Sequence, residues 1–128
     1  SLMQRYGQDA IPLPCPGLME LVEEGKLDGP EMEDYLHRLF APYRDTPVDA
    51  VVLGCTHYVF LHPILRRLLP AETAILDGNA GAIRQLRRVL EARNALRPEG
   101  ASGRVELHTS GDEALVLPRM KQLLYLPQ

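Results

Sequence analysis

At 128 residues the chain has room for one domain with a real core and hardly for two. Its net charge of -3 lacks the basic excess that nucleic-acid binding or a polybasic membrane surface requires. No apolar run reaches bilayer length and no charged-then-apolar signal pattern opens the chain. Its two cysteines make no disulfide framework, so a globular, cytoplasmic protein with free thiols is expected.

The opening SLMQRYGQDA has no initiating Met and reads as the end of a helix from something longer, so a fragment is expected. IPLPC, Ile11 to Cys15, is short, apolar and Pro-flanked and reads as a strand. From Pro16 the spacing predicts a helix with Leu18, Leu21 and Val22 on one face and Gly25 as its stop. Pro30 suits the first turn of a second helix, whose early acidic residues suit the helix dipole. Met32, Tyr35, Leu36, Leu39 and Phe40 form its apolar stripe. DAVVLG is β-branched and uninterrupted, the pattern of a strand buried on both faces of a parallel sheet.

After a Cys-Thr-His turn, Leu61, Ile64, Leu65, Leu68 and Leu69 mark a helix with Pro63 near its start. TAILDG is a further strand, and NAGAIRQLRRVLEARNAL a helix with Ile83, Leu86, Val89 and Leu90 inward and its arginines outward. RPEGASG reads as a loop, RVELHTS as a strand, and the last residues as a helix that Pro118 should interrupt. Strand and helix alternate about four times, which predicts an α/β fold of three layers, a mostly parallel sheet with flanking helices. Sites in such folds lie beyond the carboxyl ends of the strands, and Cys55 stands at one.

Gly54 is expected to permit a tight turn and close backbone approach there. The residues after it lie near a helix N-terminus, where unpaired N–H groups and the dipole favour a thiolate. Thr56 supplies a hydroxyl and a backbone N–H to hold a carboxylate, and His57 can share a proton with a nearby thiol. A buried cysteine that only packs is an equally available reading, and the residues alone leave both open. Cys55-x-His57, with His62 nearby, is a partial metal signature. A structural zinc site needs four ligands and no second pair is present, so no metal is expected. The arginines at 66, 67, 84, 87 and 88 fall mainly on solvated faces; His37 reads as a surface residue and His108 as a strand residue that packs.

LGCTHYVFL resembles the LGCTHYP motif of glutamate racemases, in the aspartate/glutamate racemase superfamily. CPGLMELVEEG, Cys15 to Gly25, resembles a second segment of that family, and VELHTSGD, Val105 to Asp112, its strand and TSGD turn near the C-terminus. The resemblance implies cofactor-independent interconversion of L- and D-glutamate, supplying D-glutamate for peptidoglycan, with no pyridoxal phosphate and no metal. One cysteine removes the α-proton from one face and a second delivers a proton to the other, as inversion of a planar carbanion-like centre requires. Carried over by motif, Cys55 is one of these thiols, on the L-glutamate side in most members. Thr56 contacts substrate, and His57 and Glu23 assist the thiol's proton transfers.

The resemblance also implies half of a two-domain fold. Residues 1–78 correspond to most of the second α/β domain. Residues 79–128 form a helix-strand-helix that in full-length members packs on the first domain. That first domain carries the other catalytic cysteine and an Asp-Ser-Gly turn, and nothing in this chain resembles either. Cys15 matches a non-catalytic position and is expected to pack. RVELHTS is then expected to lack its sheet partners, leaving its apolar face exposed or re-paired. Val59 stands where the family has Pro, which should soften the turn. The expected partners are glutamate and the N-terminal half, with a homodimer also admitted. The alternative readings are a non-catalytic binding or assembly module on the racemase fold, and a racemase for aspartate or a related amino acid.

Overall fold

A computed structural model of the chain describes residues 10–46, 48–98, 100 and 102–125; residues 1–9, read above as a helix end, lie outside these. Gly17, at φ 82°, precedes helix α1, Leu18–Glu23, which buries Leu18 and Val22. Gly25, at φ 75°, ends it as expected: its N–H bonds the carbonyl of Val22, and the N–H of Lys26 reaches back to that of Leu21. This double closure needs a left-handed residue at the position Gly25 fills. Helix α2, Pro30–Phe40, has Pro in its first turn and buries Met32 and Leu36 on the expected stripe. A 3-10 turn, Ala41–Tyr43, finishes it.

Strand β1, Ala50–Val52, runs into the Cys-Thr-His turn, then a 3-10 turn at Tyr58–Leu61, then helix α3, His62–Leu68. Strand β2, Ala74–Leu76, returns parallel to β1 with Val51 opposite Ile75. Two bonds frame the ladder: Leu53 N–H to the Leu76 carbonyl and Ala74 N–H to the Asp49 carbonyl, both 2.8 Å. This is a strand–helix–strand unit of an α/β fold, with helices beside a parallel sheet. Helix α4, Asn79–Ala92, and helix α5, Glu113–Leu124, follow. No described helix is long and apolar enough to cross a membrane.

The core gathers Leu18 and Val22 of α1, Met32 and Leu36 of α2, Leu61, and Ile64 and Leu65 of α3. Polar ties brace it. The buried Thr73 hydroxyl donates to the Val48 carbonyl at 3.1 Å, joining the starts of β1 and β2. Arg66 donates to the carbonyls of Thr73, Leu69 and Pro70, so it pins the loop before β2 instead of lying on a solvated face as expected. Arg67 forks onto Asp28 and reaches Glu33, tying α3 to α2, and this holds the Asp28 carboxyl below its usual range. Stability from that lowered carboxyl is present above the ordinary Asp range and lost as pH falls through it. The pair is exposed, so salt screens its effect.

Replacing Thr73 with Val keeps the shape but strands the Val48 carbonyl. We expect a loss of about 1–2 kcal/mol, read as a lower urea midpoint at unchanged m-value.

Several expectations are corrected. Ile11 to Cys15 forms no strand. Pro12 and Pro14 have no N–H to give a ladder. β1 is not buried on both faces: Ala50 is exposed and Val52 is 70% exposed, and only Val51 between them is half-buried. The stripe on α4 does not point into a core: Ile83 is 67% and Leu86 59% exposed. The two-stranded sheet offers it no surface. Residues 104–110 form no strand, since no described strand lies beside them to complete a ladder. Val105 is exposed, as expected for a strand without partners, and His108 is exposed instead of packed. Pro118 does not interrupt α5. The proline removes an N–H donor to the Ala114 carbonyl, but both residues are exposed, so that carbonyl is open to solvent. Among the described residues there are two strands where four were expected.

Candidate active site

The turn after β1 presents three reactive side chains, and packing of α1 against the following 3-10 turn brings up a fourth. Cys55 and His57 flank Thr56; the N–H of Tyr58 bonds the Cys55 carbonyl at 3.1 Å and that of Phe60 the His57 carbonyl at 3.3 Å. This winding turns the imidazole back, so that Cys55 Sγ and His57 Nδ1 stand 3.6 Å apart. On the other side of the ring, His57 Nε2 lies 3.2 Å from Oε1 of Glu23, the last residue of α1. Two sequence-distant segments thus form a relay from carboxylate to imidazole to thiol.

The relay sets proton positions. A carboxylate accepts, so a proton on Nε2 satisfies Glu23 and leaves Nδ1 free to take the Cys55 proton. Once Nδ1 holds that proton, it donates to the thiolate it faces. The ring is partly shielded while the Glu23 side chain is mostly exposed, so the carboxylate serves to orient the ring. Thr56 is exposed on the same turn.

Beneath the turn lies a cavity of about 460 Å³, walled by Leu13, Leu36, Phe40, Val51, Cys55 and Tyr58 among others. Cys15 lines it too, its thiol donating to the Leu13 carbonyl at 3.2 Å. Burial pushes the Cys15 thiol up, the Tyr58 side chain draws it back down, and charge on Cys55 pushes it up further. Burial likewise raises the Tyr58 phenol, with charge on Cys15 and Cys55 adding to it, so Tyr58 stays a neutral donor at neutral pH. Tyr58 was not singled out from sequence. Its one sequence signal is its place three residues after Cys55.

Gly54 needs correction. It is not left-handed, and a Cβ there would meet nothing within 4 Å, so no close approach demands glycine. It lines the cavity. Pro63 enters α3 in its first turn, and Val59 sits half-buried in the 3-10 turn before it. Among the described residues, no three His, Cys, Asp or Glu side chains gather as metal ligands would.

No family model matches the chain. It is 36% identical over 126 residues to a glutamate racemase of Clostridium perfringens strain 13, covering 97% of this chain and 48% of that protein. With a glutamate racemase of Bifidobacterium adolescentis the identity is 44%, over 96% of this chain and 49% of that protein. The chain thus spans about half the length of the curated relatives it matches. A crystal structure of glutamate racemase from Thermus thermophilus, in complex with β-chloro-D-alanine, superposes with a TM-score of 0.70 at 34% identity. The overlap covers 91% of this chain and 46% of that one. With identity running over nearly its whole length and the fold shared, the chain is similar to the C-terminal half of glutamate racemases.

Proposed function

We propose that the chain supplies one of the two proton-transfer faces of a cofactor-independent glutamate racemase, with Cys55 as the thiol that works on the α-carbon. The observation that carries this reading is the Glu23–His57–Cys55 relay at a strand end. His57 receives and returns the thiol proton, Glu23 orients His57, and Thr56 holds the substrate carboxylate through its hydroxyl and backbone N–H. Cys55 removes the α-proton of L-glutamate or returns one to the planar intermediate. The second thiol, on the opposite face, belongs to the N-terminal half of the enzyme. The residues present suffice for this face without a cofactor or metal. In the cell the product D-glutamate serves peptidoglycan precursor synthesis in the cytoplasm.

We further propose that residues 1–78 form the site-bearing unit and 79–128 a unit that docks on the other half. The apolar stripe of α4 and the unpaired residues 104–110 support this, since Ile83, Leu86 and Val105 are large apolar side chains left exposed. Co-expression with the N-terminal half of the Bifidobacterium adolescentis relative tests both ideas. Racemisation is expected only when the two halves are present together. A stable complex of the two halves without racemisation would leave the chain a binding or assembly module.

Glu23→Gln keeps a hydrogen-bond partner for His57 but removes its charge. In the reconstituted enzyme we expect kcat to fall severalfold with little change in KM, because Glu23 acts through His57 and the site is partly exposed. An equal rise in KM would place Glu23 on the substrate instead.

A further inference from the structure

The chain contains two cysteines, and both line the cavity under the turn after β1. Both are free and half-buried, and charge on Cys55 is felt at Cys15. They differ in surroundings. Cys55 has an imidazole 3.6 Å away to take its proton, whereas the Cys15 thiol is engaged with a carbonyl of its own segment. Residues 10–15 take part in no ladder or helix, so Cys15 can shift without breaking either strand. Closing a disulfide brings the Cβ atoms to about 3.5–4.5 Å, and this unladdered segment is the part free to supply that movement.

We propose that Cys15 is a resolving thiol for Cys55, so that a peroxide closes the pair into an intramolecular disulfide. His57 takes the Cys55 proton, and the thiolate attacks one peroxide oxygen. The O–O bond breaks, leaving a sulfenic acid on Cys55 and one water. Cys15 then attacks that sulfur as thiolate; the S–O bond breaks, the S–S bond forms, and the departing hydroxide takes a proton and leaves as a second water. Two thiols lose two electrons and one hydrogen peroxide becomes two waters. The disulfide removes Cys55 from proton transfer and shields it from irreversible oxidation, and a thiol reductant restores it. Only the consequence for activity rests on the racemase reading.

The test is to treat the chain with hydrogen peroxide and map it under non-reducing conditions, which requires no racemase activity. We expect a monomer lighter by two hydrogen atoms, a peptide linking Cys15 to Cys55, and recovery of both thiols with dithiothreitol. In Cys15→Ser and Cys15→Ala, each checked for native circular dichroism, the linked peptide is lost and Cys55 proceeds to sulfinic acid. Equal rates of Cys55 over-oxidation with and without Cys15, or disulfides only between chains, would overturn the proposal.

Discussion

Cys55→Ser is expected to slow glutamate racemisation by the reconstituted enzyme about 10²- to 10⁴-fold, the range a positioned acid–base group contributes. Serine nearly matches cysteine in shape, and Cys55 is only half-buried, so the turn should keep its fold. What changes is the proton. A thiol gives up its proton readily to the imidazole 3.6 Å away, whereas a hydroxyl holds its own far more tightly. The loss should fall on kcat, with substrate binding nearly unchanged. A fall of less than about twofold would make Cys55 a packing residue.

The second large effect concerns stability. Met32→Ala should cost the isolated chain about 2–5 kcal/mol, as truncation of a large core side chain does. Met32 is fully buried with six other apolar residues from α1, α2, α3 and the 3-10 turn, a small core with few neighbours to collapse into the void. Such a cost is a large part of a typical domain's total stability. The same core holds α1 against the 3-10 turn, so the mutation should also loosen Glu23 from His57. Urea unfolding followed by circular dichroism reads the first effect, and the pH dependence of the His57 ring resonances reads the second. A midpoint within error of the parent would mean that Met32 does not pack as described.

Much of this fold was legible because the pattern and the packing agree. The α2 stripe from Met32 to Phe40, the Gly25 stop and the strand–turn–helix around Cys55 all follow from local periodicity and turn chemistry. Several of the differences share one cause. Ile83 and Leu86 on α4 and Val105 in the 104–110 segment carry the pattern of buried residues, yet the described residues offer them no partner. A strand pattern records a preference for pairing, and pairing needs a second strand. Pro12 and Pro14 are different: they were in plain view, and their missing donors outweigh the apolar run around them.

The site was legible in part. Cys55 and His57 are neighbours by spacing, but nothing local says which ring nitrogen faces the thiol. Glu23 lies 34 residues away from His57, and only the family motif marked it. Tyr58 and Cys15 join the cavity through tertiary packing, which periodicity does not report.

The central claim is that Cys55 is one of two proton carriers on opposite faces of the substrate. It is tested most directly by a first-turnover experiment with the reconstituted enzyme and L-glutamate in deuterated water. D-glutamate should bear deuterium at the α-carbon from the first turnover, and Cys55→Ser should form it about 10²- to 10⁴-fold more slowly. D-glutamate that retains its original α-proton, or deuterated product from Cys55→Ser at the parent rate, would contradict it.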